Sequence, residues 1–255
     1  MNLMKTIVFI PAYNASKVIE GVFPRIPKDV YRKINKIIII DDGSKDRTLE
    51  VAKKISKKYK KVRIVSYKPN KGYAHAQKTG FLEALSHGAD VVAMLHADGQ
   101  YAPEFLGKLL KPIEDGEADV VQGSRILGKE ALSGGMPIYK FIGNRVSSAL
   151  ENLVSGLRLA EYHSGYMLYS RKSLETIPFE KLAEMYHSHK GTCHYDGEMI
   201  LLAHRNGLRI RQIPIPTRYA GEHSHVKPLK YGFEVINVIL RYVANSYKFN
   251  EKPSS

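Results

Sequence analysis

The 255-residue chain carries a single cysteine, Cys193, which excludes an internal disulfide and any zinc site built from several thiolates. A reducing compartment is the expectation. The chain also lacks a long apolar run: Met1 to Lys5 lead straight into a strand-like segment that Pro11 cuts short, too early for a secretory leader or a membrane span. Two glycine signatures are missing as well. No Gly-x-Gly-x-x-Gly follows the first strand and no Gly-x-x-x-x-Gly-Lys-Ser/Thr occurs, so dinucleotide-binding and P-loop readings lose their main support.

Acidic charge is comparatively scarce. The 25 Asp and Glu face 39 Lys and Arg, a formal charge of +14, which suggests an anionic partner such as nucleotide phosphates, nucleic acid or a lipid surface. Much of the excess sits in runs such as Lys53–Lys61, where a solvated helix face explains it equally well. A nucleic-acid binder should interleave basic and aromatic residues on one face, and these lysines run mainly along helices. No nucleic-acid partner is therefore expected.

What is present is a regular alternation of short β-branched runs with amphipathic segments, the pattern of parallel βαβ units. Strands are expected at Thr6–Pro11, Lys36–Asp41, Val62–Tyr67, Asp90–Leu95 and Asp119–Gln122, with helices at Ser16–Phe23, Asp46–Tyr59, Tyr73–His87 and Pro103–Asp115. Ser16 and Asp46 stand where N-caps belong, and Gly88 and Gly116 where helices stop. After Arg125 come a glycine-rich loop from Gly128 to Pro137, a helix over Tyr139–Ser155, a strand at Tyr166–Ser170, a helix over Tyr195–Arg205 and a strand at Arg209–Ile215. The last element is an amphipathic helix over Leu229–Phe249, with Phe233, Ile236, Leu240 and Val243 among its apolar residues and Glu234, Asn237 and Arg241 ruling against a span. Residues 1–225 read as one α/β domain. Residues 226–255 read as a helix and tail that pack either on that domain or on a membrane surface.

In an open parallel sheet the ligand crevice lies beyond the C-terminal strand ends. The first strand offers Pro11, Tyr13 and Asn14 there, the second Asp41 and Asp42, and the third leads to Asn70 and Gly72. The fourth offers His96, Ala97, Asp98 and Gln100, and the fifth Ser124 and Arg125. One carboxylate can take a base edge or ribose hydroxyls, another can hold Mg²⁺ or Mn²⁺ between phosphate oxygens, and an arginine can neutralise a leaving phosphate. The set suits a nucleoside diphosphate with a divalent ion.

In order and spacing, Ile10-Pro11-Ala12-Tyr13-Asn14, Asp41-Asp42-Gly43-Ser44, Asn70-Lys71-Gly72, Asp98-Gly99-Gln100 and Gly123-Ser124-Arg125 resemble the motifs of the inverting family-two glycosyltransferases. The likeness continues through His163-Ser164-Gly165-Tyr166, Tyr195-Asp196-Gly197-Glu198 and Arg218 to Ser224, covering about residues 5–225. The branch it most resembles is the soluble dolichyl- or polyprenyl-phosphate sugar synthases. The resemblance implies a GT-A fold, a mostly parallel sheet flanked by helices, and transfer of a hexose from a UDP- or GDP-sugar with Mg²⁺ or Mn²⁺. Pro11, Tyr13, Asn14, Asp41, Asp42, Asn70, Gly72, Ala97, Asp98 and Ser124 would then surround the donor. Asp98 and Gln100 would serve the metal, with His96 standing where the branch usually has a first Asp. Arg125 would lie on the donor's phosphate side, Arg218 and Ser224 in a loop closing over the phosphates, and Arg145 near an acceptor phosphate.

Polyprenyl phosphate is the favoured acceptor; a saccharide hydroxyl is the alternative, with Asp196 as its base. The implied location is cytoplasmic, peripheral on the inner face of the membrane. A sugar-1-phosphate nucleotidyltransferase is the other enzyme class considered, but it calls for a basic, glycine-rich loop where this chain has Pro-Ala-Tyr-Asn. The histidines His187, His189, His194, His223 and His225 fit no standard zinc spacing.

Overall fold

Nearly unbroken β-branched runs favour strands buried on both faces, and the computed structural model has them. It describes residues 4–128, 131–132, 134–186, 194–216 and 228–247, with side chains from 231 onward in the last segment. The strands are β1 (Thr6–Ala12), β2 (Ile34–Asp42), β3 (Val62–Tyr67), β4 (Val91–Met94), β5 (Val120–Ser124), β6 (Met167–Ser170) and β7 (Ile210–Pro214). They form one sheet in the order β3-β2-β1-β4-β6-β5-β7. All neighbours are parallel except at β6, which runs antiparallel to both β4 and β5.

Alternation along β1 divides the core. Ile7 and Phe9 face a layer that includes Phe81, Val92, Tyr169, Phe179 and Leu182, while Val8 and Ile10 face Ile37, Ile39, Ile55, Leu109 and Leu168. Phe81 meets Phe9, Tyr169 and Phe179 edge-on at centroid distances of 5.2, 5.2 and 5.3 Å, the arrangement aromatic quadrupoles favour.

The helices are α1 (Lys28–Lys33), α2 (Thr48–Lys58), α3 (Tyr73–Ser86), α4 (Leu106–Glu114), α5 (Ile138–Ser155), α6 (Arg171–Thr176), α7 (Phe179–Met185), α8 (His194–Arg205) and α9 (Pro228–Val243). The segment expected as a helix from Ser16 is instead a 3-10 turn over Ile19–Arg25 with Pro24 inside it, since proline offers no N–H and bars a continuing α ladder. Ser16 caps nothing there. Its N–H donates to Asp46 Oδ2 at 3.1 Å, while Asp46 Oδ1 accepts the Thr48 N–H at 2.9 Å ahead of α2. Helix α9 packs against α5 and α8 and contributes Val238 to the same core as β1.

The reversed strand positions the site. Because β6 is antiparallel to its neighbours, the segment leading into it, Glu161 to Tyr166, arrives at the C-terminal ends of β4 and β5. Gln122 fixes it there by donating to the carbonyls of Tyr162 (3.2 Å) and Ser164 (3.1 Å), and the Ser164 hydroxyl donates to Gly123 O at 2.5 Å.

Candidate active site

A cleft of about 1150 Å³ opens at the C-terminal strand ends. Its lining includes Pro11, Ala12, Tyr13, Asn14, Asp42, Asn70, Gly72, Tyr73, His96, Ala97 and Asp98. The turns after β1 and β2 are tied together: Asn14 N–H donates to Ser44 Oγ at 3.0 Å, and Asn14 Oδ1 accepts the Lys45 N–H at 2.9 Å. Tyr13 stays 47 % exposed, a flat ring at the mouth of the cleft.

The two aspartates ending β2 have separate duties. Asp41 is buried and accepts from Ser44 N–H (3.2 Å) and Ser66 Oγ (2.9 Å), so it buttresses the turn from behind. Asp42 lines the cleft, yet its Oδ2 accepts from Asn70 Nδ2 (2.8 Å) and Gly72 N–H (2.9 Å) and its Oδ1 from Lys71 N–H (2.8 Å). Burial pushes its carboxyl upward, and the Lys71 and Gly72 N–H bonds pull it back. Gly43 between the two turns has φ +65°, and a Cβ there would stand 2.6 Å from Asn70 N, so only glycine lets these loops meet.

At the end of β4, His96 Nε2 lies 3.1 Å from Gly165 O and 3.3 Å from Tyr73 Oη, while Tyr73 donates to Asp196 Oδ2 at 3.1 Å. A carbonyl can only accept, so His96 Nε2 must carry the proton, and Tyr73, having given its own proton to Asp196, accepts. Burial holds the imidazole below its ordinary pKa and hence neutral. Asp196, on α8, is buried, and its Oδ1 accepts from Gln77 Nε2 at 2.8 Å. Burial raises its carboxyl to about 6, with the Gln77 and Tyr73 bonds opposing. Among the described residues it meets the cleft lining through the Tyr73 hydroxyl.

His96, expected to serve the metal, thus directs Nε2 to the Gly165 carbonyl. Among the described residues no cluster of three or more His, Cys, Asp and Glu is placed to hold an ion. Asp98 is different: exposed and lining the cleft, its Oδ1 accepts the Gln100 N–H at 3.0 Å in a tight turn. One carboxylate completed by substrate phosphates and water is how Mg²⁺ and similar hard ions are commonly held, so the residues present fit a substrate-borne ion. Gly99, with φ +65°, makes way for Arg25, whose Nη1 donates to Gly99 O at 2.7 Å while Nε and Nη2 clasp Glu104 at 2.9 and 3.1 Å.

At the end of β5 the organiser is Glu161, a residue the motif reading missed. Fully buried, its Oε1 accepts from Ser124 Oγ (2.8 Å), Arg125 N–H (2.5 Å) and Ile126 N–H (3.2 Å). Ser124 is therefore a buried turn-former. Arg125 lies over the Tyr101 ring at 5.0 Å, and that ring packs at a 51° tilt against His96, centroids 4.6 Å apart. In the first turn of α5, burial and the Arg125 charge both hold the Lys140 ammonium below its usual pKa. Arg145 is exposed, further along α5. Arg218 and Ser224, with His187, His189, His223 and His225, lie outside the described residues.

Comparison with known proteins agrees with this geometry. Residues 7–178 match the signature described as Glycosyl transferase family 2. The chain is 32 % identical over 247 residues to a UDP-N-acetylglucosamine–dolichyl-phosphate N-acetylglucosaminyltransferase of Methanococcus voltae, covering 91 % of this chain and 94 % of that one. It is 26 % identical to a polyprenol monophosphomannose synthase of Mycolicibacterium smegmatis, over 83 % of this chain and 76 % of that one. In three dimensions it resembles glucosyl-3-phosphoglycerate synthase from Mycobacterium tuberculosis, solved with Mn²⁺, UDP and phosphoglyceric acid (TM-score 0.68, 18 % identity, 94 % and 78 % covered), a likeness of fold. A GT-A fold, a strand-end cleft with its motifs in register and a family match over most of the sheet together make this chain a member of glycosyl transferase family 2.

Proposed function

We propose that the enzyme is an inverting transferase that moves a hexosyl unit from a nucleoside diphosphate sugar to polyprenyl phosphate. The observation that carries the acceptor assignment is the burial of the candidate base, Asp196, behind the Tyr73 hydroxyl, while Arg125 follows β5 and Lys140 lies in the first turn of α5. A phosphate acceptor arrives ionised and needs no base, whereas a hydroxyl does. The kinship with a dolichyl-phosphate transferase and a polyprenol monophosphomannose synthase supports the same class of acceptor. The Methanococcus relative's UDP-sugar favours uracil over guanine in the donor.

In this reading Tyr13 and Asn70 take the base and ribose, and Asp42 shapes that wall. The acceptor's phosphate oxygen forms a bond to the anomeric carbon as the bond to the donor's diphosphate breaks on the opposite face; the electron pair leaves with the diphosphate. Arg125 and Lys140 hold the acceptor phosphate in line, and Arg218 and Ser224, which lie outside the described residues, would serve the leaving diphosphate. A divalent ion held by Asp98 and Gln100 would add positive charge at that diphosphate. Tyr73 and His96 form the wall beside the sugar, and Asp196 positions Tyr73. Residues 1–225 carry this chemistry. A lipid acceptor calls for work at a membrane surface, in this reading the cytoplasmic one, and no helix among the described residues is long and apolar enough to cross a membrane.

The test is a panel of UDP- and GDP-sugars with Mn²⁺ or Mg²⁺, with polyprenyl phosphate, polyprenol or no acceptor, measuring released nucleoside diphosphate and lipid-linked sugar. Transfer should require the phosphate. Equal transfer to polyprenol, or no donor binding, would refute the assignment.

A further inference from the structure

Helix α5 is built inside out. Its polar residues point inward: Asn144 Nδ2 donates to Glu161 Oε2 at 3.4 Å, Asn152 Nδ2 to Leu159 O at 2.9 Å, and Glu151 Oε1 lies 3.0 Å from His163 Nε2 with both side chains buried. Its apolar residues point out, with Ile138 68 %, Ile142 55 %, Val146 56 % and Leu153 81 % exposed. Burial of apolar surface alone would turn such a helix the other way; the buried polar contacts hold it as it is. Helix α9, packed against it, repeats the pattern in part. Val235 and Val238 go inward, Phe233 and Leu240 stay 69 % and 58 % exposed, and Glu234 and Arg241 reach inward to His194 (2.9 Å) and Glu198 (2.7 Å). A contiguous apolar surface of this kind marks a contact site.

We propose that the outer faces of α5 and α9 dock on the interface of an anionic lipid bilayer, with α5 running from the cleft into the headgroup layer. Two observations select lipid over a second protein copy. The apolar face begins at the reaction site, since Phe141 packs with Ile126 and Met136 and Asn144 reaches Glu161, the carboxylate that holds the Arg125 N–H. The charges also suit anionic headgroups: the only acids of the two helices, Glu151 and Glu234, are turned inward, and Arg145 and Arg158 are exposed. An apolar stripe flanked by cations is the composition of helices that lie in a membrane interface. The choice of lipid rests in part on the polyprenyl-phosphate reading, whereas the exposed face does not.

The experiment is flotation of the full-length protein with phosphatidylcholine vesicles containing phosphatidylglycerol, without donor or acceptor, beside a Val146→Glu/Leu153→Glu variant. Both substituted positions are exposed, so an unchanged circular dichroism melt is expected for the variant. The wild type should float, and the variant should lose vesicle affinity by about tenfold or more. In parallel, transfer to long-chain polyprenyl phosphate in vesicles should fall in the variant, while transfer to a short-chain, water-soluble prenyl phosphate should not. Wild-type protein that stays with the unbound fraction, or a variant that floats equally well, overturns the proposal. So does a dimer in sedimentation that the variant dissociates, because the face would then belong to a second copy. Flotation without transfer to any lipid phosphate would refute the acceptor assignment and leave the docking surface standing.

Discussion

Asp196 offers the sharpest test of the site's electrostatics. Its carboxyl is fully buried and raised from 3.8 to about 6, chiefly by burial. The folded state therefore holds its proton over a pH range where the unfolded chain has released it. Stability from this group is complete below pH 3.8 and is lost as pH rises through about 6. Linkage between those two values gives a loss of about 1.4 kcal/mol on going from pH 5 to pH 8, roughly 3–6 °C in Tm for a chain of this size. Asn in place of Asp copies the protonated form. Among the described residues Gln77 Oε1 has no hydrogen-bond partner, so a rotated Gln77 amide can accept from the new Asn while Tyr73 continues to donate. Urea unfolding of wild type and Asp196→Asn at pH 5 and pH 8 should show their stability difference moving by that amount in favour of Asn at the higher pH. Taking the difference cancels the other titrating groups. A difference that does not change with pH would refute the argument, because Asp196 would then ionise like an ordinary surface carboxyl. Transfer by the Asn variant to polyprenyl phosphate should persist, since a phosphate acceptor asks for no base.

Two further perturbations probe the turns. Glu161→Ala removes the acceptor shared by Ser124, Arg125 and Ile126 in a buried position and should cost about 3 kcal/mol or more; a fall in urea midpoint at constant m checks it, and a loss under about 1 kcal/mol would count against Glu161 as the organiser of that turn. Gly43→Ala forces a side chain into φ +65° with its Cβ 2.6 Å from Asn70 N, so the turn must shift at a cost of about 1–3 kcal/mol; nucleotide titration calorimetry should register weaker donor binding, and unchanged affinity would mean the Asp42–Asn70 wall is not part of the nucleotide site.

The half of the sheet built from β1 to β5 was legible because each strand is a local run of β-branched residues, and such runs state their own position and length. The direction of β6 was not. Alternation and composition are the same whichever way a strand runs, and only the hydrogen bonds to β4 and β5 reveal the reversal. Helices α1, α6 and α7 span six or seven residues, less than two periods of an apolar stripe, so their pattern could not rise above that of a loop. The site divides in the same way. Asp42, Asn70, His96 and Asp98 follow strand ends directly and were found there. Glu161 joins Ser124 across 37 positions, Arg25 joins Gly99 across 74 and Tyr73 joins Asp196 across 123; no local signal encodes partners that far apart.

Helices α5 and α9 show a different limit, and a clue that partly lifts it. Periodicity identifies an apolar stripe but says nothing about whether it faces in or out; the stripe of Phe233, Ile236, Leu240 and Val243 is real, and it is the exposed one. What sets the direction is where the polar residues find partners. A helix bathed in water on its polar side usually carries lysines and glutamates there, as α2 does with Lys53, Lys54, Lys57 and Lys58. The polar side of α5 consists instead of Asn144, Ser148, Glu151, Asn152 and Ser155, short side chains suited to fixed hydrogen bonds, with one charge among them. Such a face is expensive to bury without partners and cheap once they exist, and Glu161, His163, Leu159 and Tyr162 provide them. An amphipathic helix whose polar stripe is short and nearly uncharged is therefore one whose apolar stripe should be sought on the surface.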